Sequence, residues 1–222
     1  MPENRESRWR KTDESVVLAH CLDHEQRFLF YARTYTAGQG YQYSETNQLI
    51  LNFKIRYDDI KRNPQRRQYK QRAIQQFAKE VTALLRDQLD PSLSLILVPI
   101  PPSKERSHPE YDDRVEQVVK AVAANIHTVS WLPLLQVTTS MESYHSRSAG
   151  RNPEDIYAVL QLDEASAKYC QPNSIIALVD DVLTSGAHFT AARRRIQERF
   201  PDTTVIGIFW AKAVSYGVSS ET

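Results

Sequence analysis

The chain is short of several things, and each shortage narrows what it can be. Two cysteines in 222 residues, Cys21 and Cys170, are too few for a disulfide framework and fit a reducing compartment. No apolar run approaches the ~20 residues a membrane span needs. The first residues, MPENRESRWRKTDES, lack the apolar stretch of a secretory leader. A cytoplasmic protein without a membrane partner is therefore expected. Net charge is only +1, so no whole-molecule field argues for a polyanionic partner. Internal repeats and low-complexity tracts are missing too.

The residues that are present suit one α/β domain with an appended subdomain. Residues 1–14 read as a flexible arm that only Trp9 is fit to anchor. Ser15–His20 and Arg27–Arg33 alternate as strands of a hairpin. Ser44 is placed to cap a helix carrying Leu49, Ile50 and Phe53. After Asn63-Pro64, a long helix shows its apolar face at Ile74, Phe77, Ala78, Val81, Leu84, Leu85 and Leu89, and Asp90-Pro91 ends it. Leu93–Val98 reads as a buried strand, and Tyr111, Val115, Val118, Val119, Val122 and Ile126 mark a helix. Trp131–Val137, Ile156–Leu160, Ile175–Val179 and Val205–Trp210 read as further strands, the first confined by Pro133 to an edge or a bulge. Strands alternating with helices predict a mostly parallel sheet with ligands at its carboxyl edge. The division is an arm (1–14), an N-terminal subdomain with the long helix (15–92) and an α/β core (93–222).

The most informative stretch is Ser174–Thr190, SIIALVDDVLTSGAHFT. A buried-strand run ends at the carboxylates Asp180 and Asp181, expected where the strand emerges from the sheet. Thr184-Ser185-Gly186 follow, then a helical period at Phe189, Ala192, Ile196 and Phe200. Ionised carboxylates only accept hydrogen bonds, so they suit the two O–H donors of a sugar diol. A helix N-terminus behind a glycine turn suits a phosphate dianion. Together these describe a ribose-phosphate cradle.

The string Val179-Asp180-Asp181-Val182-Leu183-Thr184-Ser185-Gly186-Ala187 resembles the 5-phosphoribosyl-1-pyrophosphate (PRPP) motif of type I phosphoribosyltransferases. It departs from that motif at His188, where a Thr is usual. The resemblance implies an α/β, type I phosphoribosyltransferase-like fold: a mostly parallel sheet flanked by helices, with an N-terminal hood subdomain that holds the acceptor. It implies a glycosyltransferase that uses Mg²⁺ and PRPP, joins phosphoribosyl to a nitrogen acceptor and releases pyrophosphate. Asp180 and Asp181 would orient the ribose hydroxyls as the catalytic pair. Thr184, Ser185, Gly186, Ala187 and His188 would hold the 5-phosphate. The loop after Leu93–Val98 would bind pyrophosphate through Ser103, Lys104 and Arg106. No protein side chain is assigned to metal.

Residues 132–160 resemble the ComF-like (amidophosphoribosyltransferase-like) branch, which carries a flexible loop before a short strand. Arg151 and Asn152 are adjacent here, unlike the spaced Arg-x-x-Asn of that branch. The resemblance implies a loop over Thr138–Arg151 that closes on PRPP, with Ser143, Tyr144, His145, Arg147 and Arg151 as its candidate contacts. The cysteine-rich zinc module of many members is missing, and His20, Cys21 and His24 are poorly spaced for a zinc site.

Basic residues cluster at Lys61-Arg62, Arg66-Arg67, Lys70 and Arg72, and again at Arg193–Arg195. Their ordinary reading is a solvated helix face. The aromatic residues fit to stack on bases, Tyr31, Tyr35, Tyr41 and Tyr43, lie elsewhere in the sequence. A nucleic-acid or protein partner and a homo-oligomer stay open. So do two other functions: an inactive sensor of PRPP or a nucleotide, and an effector of a bacterial conflict system.

Overall fold

The structure is a computed structural model describing residues 9–12, 28–139, 152–170 and 174–216. Along the chain, β1 (Arg10–Lys11) and β2 (Leu29–Thr36) precede three helices: α1 (Glu45–Phe53), α2 (Tyr57–Arg62) and α3 (Arg66–Gln88). There follow β3 (Leu95–Pro99), α4 (Arg114–Ala123), β4 (Val129–Trp131), β5 (Leu135–Val137), α5 (Pro153–Val159), β6 (Leu160–Leu162) and α6 (Glu164–Ala167). The chain continues through β7 (Ile175–Leu183), α7 (Ala187–Arg199) and β8 (Val205–Val214). One sheet has the order β1-β2-β8-β7-β3-β4. Only β1 runs antiparallel to its neighbour; the other pairings are parallel. The expected α/β architecture, a mostly parallel sheet flanked by helices, is present.

The pleat turns successive residues to opposite faces, and two apolar clusters result. Leu95, Leu97, Ala177 and Val179 share one cluster with α1, α3 and α4. Ile96, Val98, Ile176 and Leu178 share the other with α5 and α7. The predicted face of α3 is buried as its period requires. Ser44 does cap α1, its hydroxyl accepting the Asn47 N–H at 3.0 Å. On the first face Phe77 stacks on Trp210 at 4.9 Å, and Phe53 meets both rings edge-on. On the second, a Cβ on Gly207 would lie 2.6 Å from Leu29 and 3.0 Å from Phe189. Only glycine lets α7 and β2 approach β8 that closely.

Three predicted strands come out differently. Trp131–Val137 is broken at Pro133. Its first part ends the edge strand β4, and its second part pairs antiparallel with β6 in a separate two-stranded sheet. Ile156–Leu160 is mostly helix: Asn152 caps α5 through the Glu154 N–H at 3.1 Å, and Pro153 occupies its first turn. That Asn-Pro start is a helix signal, and it overrides the β-branched composition. The motif strand runs on to Leu183, paired with β8, although its pairing with β3 stops at Val179. The aspartates therefore emerge on the β3 side only. Ser15–His20, the other half of the expected hairpin, lies outside the described residues, as do His20, Cys21 and His24. Trp9 donates its indole N–H to the Glu80 carbonyl at 3.1 Å. Among the described residues, no helix is long and apolar enough to cross a membrane.

Candidate functional site

Chain connections leave β3 in one direction toward β4, while β7 and β8 lie on its other side. The carboxyl ends of β3 and β7 thus flank a topological switch point, where open α/β sheets bind ligands. The Ile100 N–H donates to the Val179 carbonyl at 2.9 Å. That bond holds the Pro99–Ser103 loop against β7 one residue before Asp180. On the far side of β7, Gly186 takes the left-handed conformation (φ 77°) at the N-cap of α7. This position favours glycine, because a Cβ there would crowd the neighbouring backbone.

The two aspartates are neighbours with different surroundings. The pleat sends Asp181 to the face of α1 and α4. There Lys54, the C-cap of α1, reaches Oδ1 at 3.1 Å, and Arg114, the first residue of α4, donates to Oδ2 at 2.9 Å. Arg114 also pairs with Asp112 at 2.6 Å, and Asp112 with Lys70 at 2.8 Å. Lys70 is buried and donates to the Ile55 carbonyl at 2.9 Å as well. Burial alone would raise the Asp181 pKa, but Lys54 and Arg114 outweigh it and hold the carboxyl below the usual range. Asp180 is half-buried on the other face. Its Oδ1 accepts the Asp181 N–H at 2.7 Å. Burial, and then the Asp181 charge, pushes its carboxyl up to about 7. Asp181 is thus held within the framework by two cations, while Asp180, with its carboxyl pushed up, stands at the point where β7 leaves β3.

The other predicted residues divide. Ser185 Oγ accepts the Ala187 N–H at 3.4 Å, Thr184 is exposed, and the Ala187 side chain is buried. His188, half-buried, lines a small cleft with Pro101, Pro102, Ser103, Val137, Ile156 and Leu160. Ser103 and His188 are thereby brought together across the switch point. Lys104 sits 3.9 Å from Glu110. Arg106 is drawn to Glu116, a buried carboxylate, at 2.6 Å, with its guanidinium 5.5 Å from the centre of the Tyr111 ring. Among the described contacts, Arg106 serves α4 rather than an open loop. Arg147 and Arg151 lie outside the described residues, as do Ser143, Tyr144 and His145.

Sequence reasoning missed Lys54, Arg114, Asp112 and Lys70. One signal was available: Arg114 opens a helix, where the dipole disfavours a cation, so an anion had to be close. Among the described residues, no three His, Cys, Asp or Glu side chains are placed to hold a metal.

No protein-family model matches the chain, and no curated protein matches it. Among solved structures, it is similar to a hypoxanthine phosphoribosyltransferase from Staphylococcus aureus, with a TM-score of 0.39 and 15% identity over 64% of this chain and 73% of that one. A second crystal form of that enzyme gives 0.36 and 15% over 67% and 75%. An adenine phosphoribosyltransferase from Leishmania tarentolae gives 0.35 and 13% over 87% and 94%.

Proposed function

We propose that the chain is a phosphoribosyltransferase-like protein that binds PRPP at the carboxyl ends of β3 and β7. The observation that carries this reading is the placement of Asp180. It is a half-buried carboxylate at a switch point, in the motif string that resembles the PRPP signature, four residues before the turn into α7. Asp180 accepts from the ribose hydroxyls, and Asp181, held by Lys54 and Arg114, fixes the backbone that presents it. Thr184, Ser185 and the first-turn N–H groups of α7 receive the 5-phosphate. Ser103 and Lys104 receive the diphosphate, and the 138–151 loop supplies Arg147 and Arg151. As the C1–O bond to pyrophosphate breaks, a bond from C1 to the acceptor nitrogen forms, and the proton on that nitrogen leaves to solvent or to the diphosphate. Positioning and charge stabilisation are enough for such a step.

Mg²⁺ fits this arrangement as a companion of the substrate. It is commonly held by one or two carboxylates together with substrate phosphates rather than in an all-protein cage, and Asp180 would supply one such carboxylate. The ion would neutralise the departing diphosphate.

One observation favours a second reading, a sensor that binds without turnover. His188 stands where the motif has Thr, and it lines a largely apolar cleft. Calorimetry with PRPP and Mg²⁺, followed by a screen of bases and nucleosides for pyrophosphate release, separates the two. Binding with release supports the enzyme; binding without release supports the sensor. PRPP binding by His188→Thr but not by the natural chain rejects both.

A further inference from the structure

The fold joins two features that are apart in the sequence. Between Lys54 and Arg72 there are eight basic residues and two acidic ones, Asp58 and Asp59. Lys54 and Lys70 are committed to Asp181 and Asp112, but Arg56, Lys61, Arg62, Arg67 and Arg72 are exposed. Tyr41, from the turn before α1, reaches this region: the Arg66 guanidinium donates to its hydroxyl at 3.0 Å. Arg66, Tyr69 and Arg72 follow at i, i+3 and i+6 along one ridge of α3. The result is an alternating strip, Tyr41–Arg66–Tyr69–Arg72, with Tyr57 and Lys61 one turn apart on neighbouring α2. Tyr41 is 40% exposed, Tyr69 45% and Tyr57 56%. Among the described residues, the acidic side chain that meets the strip is Asp59, 3.7 Å from Arg66.

The second basic cluster is organised in the opposite way. Arg194 pairs with Glu154 at 3.0 Å, and Arg195 donates to the Leu160 and Tyr157 carbonyls. Both guanidiniums cover Tyr157, whose hydroxyl donates to Glu198. Those arginines hold α5 onto α7. On the first strip, the rings and most of the cations are presented to solvent.

We propose that the Tyr41–Arg66–Tyr69–Arg72 strip is a docking surface for single-stranded nucleic acid. Arginines alternating with rings offer cations to phosphates and flat faces to unstacked bases, each ring presenting a face that any base can cover. A duplex keeps its bases stacked and offers the strip only its phosphates. The surface does not depend on PRPP binding, so it stands or falls separately from the proposed activity.

Fluorescence anisotropy of labelled oligo(dT) and oligo(U) with the full chain tests the inference. Single strands are expected to bind more tightly than a duplex of equal length, and poly-glutamate should compete poorly. Tyr41→Ala and Tyr69→Ala should each weaken binding about tenfold, while Tyr69→Phe retains it. Arg72→Gln should flatten the logarithmic salt dependence by about 0.7. These side chains are exposed, and unchanged circular dichroism confirms that the variants fold. Wild-type affinity in both tyrosine variants, equal affinity for duplex, or equal competition by poly-glutamate would overturn the proposal.

Discussion

The two faces of the sheet treat their carboxylates differently. On the α1, α3 and α4 face, Glu80 is buried and fully engaged. It accepts from both Nε and Nη2 of Arg33 and from Gln76, and it takes the Trp210 indole N–H at 2.8 Å. Asp181 on that face is matched by two cations. On the other face, Asp180 stands half-buried with its neighbour's backbone N–H as its described donor. Glu80 and Asp181 show what a buried acid needs in order to serve as structure: charge and donors that saturate its oxygens. Asp180 shows the complementary case, an acid kept partly unsatisfied beside a turn and a loop, ready for donors that come from outside.

The sharpest test of this contrast is Glu80→Ala. It leaves Arg33, whose side chain is only 13% exposed, with only the solvent-exposed Glu45 at 3.8 Å, and it strands the Trp210 N–H, so denaturant unfolding should show a loss of about 3–5 kcal/mol. Arg114→Met should come close to this, since it removes the buried cation that Asp181 and Asp112 share and leaves Asp181 only the partly exposed Lys54 and Asp112 only Lys70. A loss below about 1 kcal/mol in both would show that neither centre is structural.

Asp180→Asn should behave in the opposite way. Stability should hold or rise, because a buried charge next to Asp181 is removed. PRPP affinity by calorimetry should fall by about 1.5–3 kcal/mol, the loss of a charge-assisted hydrogen bond. A stable variant with unchanged affinity would remove Asp180 from the site.

The same contrast has a pH signature. Because the Asp180 pKa is raised in the fold to about 7, the folded chain keeps a proton that the unfolded chain releases near pH 4. Stability should therefore decline as pH rises from about 4 to 7, then level off. Asp181, held low, acts in the other direction: its contribution is full above the ordinary carboxylate pKa and fades as pH falls through its folded value. Urea melts across pH should lose the decline between 4 and 7 in Asp180→Asn. A decline that persists would place the titrating group elsewhere.

The smallest expected effect is that of Lys54→Met. Its side chain is 37% exposed and Arg114 still holds Asp181, so about 1 kcal/mol or less should be lost. A loss as large as that of Arg114→Met would make the two cations equal partners.

The sequence by itself determined the alternation of strands and helices, the apolar face of α3, the cap at Ser44 and the order of groups from Val179 to Ala187. These are local properties, set by side-chain period, capping chemistry and backbone freedom within a few residues. It misread 156–160, where a three-residue cap outweighed β-branched composition, and it ran one strand through Pro133, where the chain changes sheets. The tertiary structure alone decided that Asp180 and Asp181 would part company. The pleat turned them to opposite faces, and helices that start and end 67 and 127 residues earlier delivered Arg114 and Lys54 to only one of them. It likewise laid Tyr41 against Arg66. Electrostatic pairing and ring placement depend on distance in space, and no local pattern in the chain encodes which distant segments the sheet will bring together.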